Sequence, residues 1–196
     1  INIVFSPCET FNMKNMGKTR SEIVLMYKTF MDKVPKDRVR VYISMAFGSP
    51  YSGLIDPSTM RSCIRDAAMF ADTIVFSDTV GVGCTSDVKK LTGLALKEGL
   101  RPALHLHHTG DEGRALSLVR TGLLSGIKQF DSSIGGLGGC PFAEGSGSNL
   151  STEMLLRHIE AWGFEHGVDM KALKRASALA FQLKSYEATS SPSAWA

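Results

Sequence analysis

Three of the chain's five histidines fall within four residues, in the stretch ALHLHHTG (103–110). His105 and His107 are two positions apart, and on a strand that spacing puts both imidazoles on one face. Two imidazoles one pleat apart make half of a metal site. His108 then faces the other way or turns out with the following loop. The competing reading is a set of hydrogen-bonded histidines near a strand end, since histidine is intermediate in its burial preference. Asp78, near the end of the preceding strand pattern, adds a carboxylate and favours chemistry. A second cluster is the glycine-rich run GGLGGCPFAEGSGSNLSTE (135–153). Such a run approaches a ligand closely because glycine has no Cβ. It carries Cys140 beside Pro141 and ends at Asn149, whose amide oxygen is able to ligate a metal. It is not a phosphate loop, because no GxGxxG stands in a strand–turn–helix frame and no GK[ST] follows.

These residues need elements to position them. Compact apolar runs at 1–6, 39–47, 72–79, 101–109 and 127–136 read as strands covered on both sides. Helical patterns lie between and after them. One covers 21–34 with Ser21 as the expected N-cap. A second starts at Asp56, with Pro57 in its first turn. A third has Thr85 or Ser86 as its cap and Gly99 as its stop. A fourth covers 111–126, and two more follow, the first with Ser151 and Glu153 in a capped, acidic first turn. Strand–helix alternation with a repeat of roughly 30 residues argues for a parallel β/α architecture. In such folds sites form at the C-terminal strand ends. Polar residues cluster there: Ser6, Ser44, Asp78, the three histidines and Asp131.

Composition narrows the function. At 196 residues with 43% hydrophobic and 21% charged residues, the chain reads as one globular domain with a real core. A net charge of +3 with dispersed basic residues argues against nucleic-acid binding. No run of 18 apolar residues suggests a membrane span, and INIVFSP at the start has no basic region of the kind a signal peptide carries. Cys8, Cys63, Cys84 and Cys140 form no CxxC pair, which argues against a structural zinc knuckle and for reduced thiols.

The segment GLGGCPFAEGSGSN closely resembles the cysteine-loop signature of the 3-hydroxy-3-methylglutaryl-CoA lyases. SPCETFNMKNMGKTRSE, VRVYISMAFGSPYSG, FSDTVGVG and HLHHTGDEGRAL resemble that family's segments in the same order, to about residue 170. The resemblance implies a (β/α)8 TIM barrel, of which about five β/α units, the fourth to eighth strands, are present. It implies a partial barrel domain over 1–186 and a flexible tail over 187–196. His105, His107 and Asn149 match the family's metal ligands, with Mg²⁺ or Mn²⁺ as the implied ion. Cys140, Asp78 and His105 match catalytic positions, and Ser44, Gly138 and Gly139 are the implied substrate contacts. The implied reaction is metal-assisted retro-Claisen cleavage of an acyl-CoA to acetyl-CoA and acetoacetate, as in leucine degradation and ketone body metabolism. A Claisen-type synthase of the isopropylmalate or homocitrate kind and a non-catalytic barrel fragment are the alternatives. The implied compartment is the cytoplasm, or the mitochondrial matrix in a eukaryote.

Two departures from the family pattern matter. The chain starts at what resembles the fourth strand, so the family's Arg-Asp pair from the first strand is absent, and Arg65–Asp66 lies inside a helical pattern. The chain is therefore expected to be a fragment, or to complete its barrel as a homodimer or with another chain, and to be inactive alone. His108 stands where the family carries an aspartate that orients a ligand histidine.

Overall fold

The computed structural model describes residues 1–110, 112–142 and 147–190, with side chains to residue 182. Five strands, β1 (Asn2–Phe5), β2 (Arg40–Ile43), β3 (Thr73–Asp78), β4 (Arg101–His108) and β5 (Phe130–Asp131), lie side by side in chain order. Every neighbouring pair is parallel. The helices between them are α1 (Glu9–Met16), α2 (Arg20–Met31), α3 (Pro57–Ala68), α4 (Thr85–Lys97) and α5 (Glu112–Leu124). A sixth strand, β6 (Ser148–Asn149), precedes α6 (Thr152–Ala161) and α7 (Met170–Ser190). It runs antiparallel to β4. This is part of a (β/α)8 barrel, as expected.

Local chemistry explains most boundaries. The hydroxyl of Thr19 accepts the Glu22 N–H while the Glu22 carboxylate accepts the Thr19 N–H, so Thr19 and not Ser21 starts α2. Asp56 accepts from Ser58 and Thr59 and starts α3, with Pro57 in the first turn. Cys84 is the N-cap of α4, one residue before the expected Thr85, and its N–H donates to Asp87 Oδ2 at 3.1 Å. The expected strand 39–47 stops at Ile43 because Met45 takes a positive φ of 59°, and the Thr79 hydroxyl takes up the Met45 N–H at 2.9 Å. The helix α1 was not expected; it ends at Gly17, whose N–H donates to Met13 O. At the other end α7 runs to Ser190, which includes the first residues of the expected tail; residues 191–196 lie outside the described residues.

All six residues of β3 are buried, as a central parallel strand requires. The core packs Phe5, Ile43, Ile74, Phe76 and Leu104 against Ile23, Ile64 and Leu118 of the surrounding helices. No disulfide joins the four cysteines, all of which lie among the described residues.

Candidate active site

The strand register brings the chemistry together. Ser77 of β3 pairs with His105 of β4, so the alternating residues Ser77, Thr79, His105 and His107 point into one cavity. The cavity measures about 510 Å³ and is also lined by Tyr42, Ser44, Gly138, Gly139, Cys140 and Asn149. Seven sequence-predicted site residues therefore meet there: His105, His107, Asn149, Cys140, Ser44, Gly138 and Gly139.

The two histidines converge. His105 Nε2 and His107 Nε2 are 3.1 Å apart, and the ring planes meet at 62°. Burial, with help from the neighbouring His105 and His108 rings, brings His107 down to about 4, so this imidazole is neutral at pH 7. Asn149 sits directly across from His107 in the β4–β6 pairing. Its Nδ2 donates to Leu137 O at 2.7 Å, which fixes the amide. Its Oδ1 is buried without a hydrogen-bond partner. A buried, unsatisfied amide oxygen beside two converging imidazoles is a donor set that fits a divalent ion of the Mg²⁺ or Mn²⁺ kind. Among the described residues no group of three or more His, Cys, Asp or Glu gathers for a metal. The candidate centre is therefore two nitrogens and one amide oxygen from this chain.

The glycine-rich loop makes this closeness possible. Gly138 has φ +91°, and a Cβ there would stand 2.9 Å from Asn149 Nδ2. At Gly147 a methyl group would overlap the His108 carbonyl. Residues 143–146 of this loop lie outside the described residues. Cys140 is half-buried and, like Tyr51, packs against a buried cluster of Cys8, Phe11, Met45 and Val80. The Tyr51 hydroxyl donates to Phe142 O at 2.7 Å and ties the cysteine loop to the β2–α3 loop.

Asp78 does not join this group, contrary to expectation. It pairs in register with Leu106, not with a histidine, so it points to the other face of the sheet. Its two oxygens accept the N–H groups of Val82 (2.9 Å) and Gly83 (2.9 Å). Burial pushes its carboxyl up, and those N–H groups oppose the shift. Asp78 shapes the turn before α4. His108 also turns from the cavity and lies 3.5 Å from Glu112.

The sequence marks Asp131 only as a polar strand-end residue and does not reveal its partners Arg40 and Tyr42. Arg40 Nη2 donates to Asp131 Oδ1 at 2.8 Å, and the Tyr42 hydroxyl donates to Asp131 Oδ2 at 2.6 Å. Arg40 Nη1 also reaches the Tyr42 hydroxyl at 3.0 Å. Burial works against the Asp131 charge, yet His105, Tyr42 and Arg40 more than offset it and hold the carboxyl at about 2. Burial, then the Asp131 carboxylate, drives Tyr42 up to about 12. The signal was present in RVYIS, where Arg40, Tyr42 and Ser44 alternate with buried Val41 and Ile43.

A family model described as HMGL-like matches residues 1–180. The chain is 32% identical over 174 residues to a cytoplasmic 3-hydroxy-3-methylglutaryl-CoA lyase of Danio rerio, covering 87% of this chain and 52% of that protein. It is 33% identical over 168 residues to a 3-hydroxy-3-isohexenylglutaryl-CoA/hydroxy-methylglutaryl-CoA lyase of Pseudomonas aeruginosa, covering 84% of this chain and 56% of that protein. The chain thus spans about half the length of these curated relatives. Among solved structures, an HMG-CoA lyase of Acinetobacter baumannii in complex with coenzyme A and 3-methylmalate superposes with TM-score 0.86 at 26% identity. That match covers 100% of this chain and 66% of the other.

Proposed function

The chain belongs to the HMGL-like family, and from that premise we propose that it forms part of an acyl-CoA lyase. The substrate is 3-hydroxy-3-methylglutaryl-CoA or a close 3-hydroxy-3-alkylglutaryl-CoA, cleaved to acetyl-CoA and a 3-oxo acid, acetoacetate for the methyl substrate. The observation that carries this reading is the meeting of His105, His107, Asn149 and Cys140 at one cavity. Substrates recognised as CoA esters by the relatives fit the same reading.

His105 and His107 would hold Mg²⁺ or Mn²⁺ together with Asn149 Oδ1. When bound, such an ion polarises a substrate hydroxyl and a carboxylate oxygen and makes the alkoxide easier to form. The chain's own residues do the rest. His105, at the cavity wall, would serve the hydroxyl end by holding the ion beside it; a ring nitrogen that ligates has no lone pair left for the hydroxyl proton, which passes to solvent as the C–C bond breaks. Cys140, held on its loop at the cavity mouth, gives a proton to the enolate carbon of the departing acetyl-CoA. Ser44, Gly138 and Gly139 line the cavity and contact the acyl group. These residues span about half the length of the relatives, and turnover is proposed for a barrel in which the remaining strands are also present. The compartment is the cytoplasm, or the mitochondrial matrix if the source is a eukaryote.

The test uses two readouts. Mn²⁺ titration of the chain should show binding that His107→Ala weakens at least about tenfold. Incubation with 3-hydroxy-3-methylglutaryl-CoA and Mn²⁺, with a second chain supplying the remaining barrel strands, should release acetyl-CoA and acetoacetate, and Cys140→Ala should slow this about 100-fold or more. Full turnover in Cys140→Ala would sink the proton role of that thiol. Release of free CoA from acetyl-CoA plus a 2-oxo acid would favour the synthase reading instead.

A further inference from the structure

We infer that Asp131, clamped by Arg40 and Tyr42, is a positioning residue that decides which nitrogen of His105 faces the cavity. The inference deepens the metal-site reading above and rests on it. His105 and Asp131 are in register on neighbouring parallel strands, β4 and β5. Asp131 Oδ2 lies 3.7 Å from His105 Nδ1, and that nitrogen is buried with no hydrogen-bond partner. The opposite nitrogen, Nε2, faces His107. A carboxylate on the Nδ1 side favours the tautomer with the proton on Nδ1, which leaves the Nε2 lone pair aimed into the cavity.

The carboxylate itself has little freedom. Oδ1 is taken by Arg40 at 2.8 Å and Oδ2 by the Tyr42 hydroxyl at 2.6 Å. Tyr42 acts a second time: its ring meets the His105 ring edge-on, with centroids 6.0 Å apart and planes at 75°. A flipped imidazole would turn a carbon toward His107 and lose the carboxylate. Three residues from β2 and β5 thus fix one imidazole on β4. His108, the third histidine of the stretch, lies against Glu112 and away from the cavity. Asp131 is the carboxylate that remains beside a cavity histidine.

The experiment compares the chain with Asp131→Asn and with the double variant Arg40→Met/Asp131→Asn. Long-range ¹H–¹⁵N spectra of the metal-free proteins read the His105 tautomer, and Mn²⁺ titration followed by electron spin resonance reads affinity. We expect the original chain to hold the proton on Nδ1 and Asp131→Asn to lose that preference. Mn²⁺ binding should weaken about 10- to 100-fold in Asp131→Asn. The double variant removes the guanidinium left without a counter-charge, so its thermal midpoint should recover while the tautomer and the Mn²⁺ affinity do not. An unchanged His105 tautomer in folded Asp131→Asn would overturn the inference, as would restored affinity in the double variant. Absence of Mn²⁺ binding by the original chain would overturn the metal reading, while the tautomer spectra still decide the role of Asp131.

Discussion

Cys63 and Cys140 carry the same thiol in very different surroundings. Cys63 is fully buried between helices, and Arg20 Nη1 donates to its Sγ at 2.7 Å. Burial wins over the guanidinium and pushes the Cys63 thiol up to about 11. An unfolded chain loses this proton from about pH 9, whereas the folded chain keeps it. The unfolded state therefore binds fewer protons between pH 9 and 11, and stability falls as pH rises through that window. The slope contributed by Cys63 is at most about 1.4 kcal/mol per pH unit. Urea midpoints measured from pH 8.5 to 11 should fall less steeply in Cys63→Ala, and equal slopes would show that the thiol does not carry this effect. Cys140 was legible in the sequence because its neighbours are distinctive glycines and a proline. The character of Cys63 was not, because Arg20 and Cys63 meet only after α2 and α3 have packed.

The short strand β6 matters more than its two residues suggest. It delivers Asn149 to His107, and the next residue continues the contact, with Leu150 N–H donating to Leu106 O at 3.0 Å. Gly147, just before β6, passes so near the His108 carbonyl that no side chain fits. Gly147→Ala should therefore push β6 off β4, at a cost of about 1–3 kcal/mol in a urea melt. It should also abolish Mn²⁺ binding, since Asn149 would leave its place. A variant with unchanged affinity would show that Asn149 reaches its position by another route. The residue Asn149 was readable from the loop motif, but the strand holding it was not. Two residues carry no periodicity, and their pairing partner lies forty residues upstream. The helix α1 escaped for a related reason: it buries only Phe11 and Asn12 and shows no apolar stripe. Asp78 misled because a strand-end carboxylate reads the same from sequence whichever face it takes, and its facing depends on one step of register.

Across the whole molecule the sheet has unequal strands. The strand β3 is paired on both sides and wholly buried, while among the described residues β1 pairs only with β2 and β5 is two residues long. Native-state hydrogen exchange should find the amides of 73–78 exchanging last and those of 2–5 much earlier. Equal protection of the two strands would contradict this. The alternation of β and α units announced this order plainly, because apolar runs and helix caps are local signals.

The pair Arg40–Asp131 joins strands that are not neighbours. Three strand intervals separate β2 from β5, about 14 Å across a flat sheet, yet the guanidinium and carboxylate meet at 2.8 Å. The contact lies like the tie rod of an arch across a curve that the strand pairing sets. Bending is thus already secured within these five strands, and the carboxylate that anchors the rod is the one beside His105. Losing the tie would leave the curve to the strand pairing and free the imidazole that the carboxylate faces.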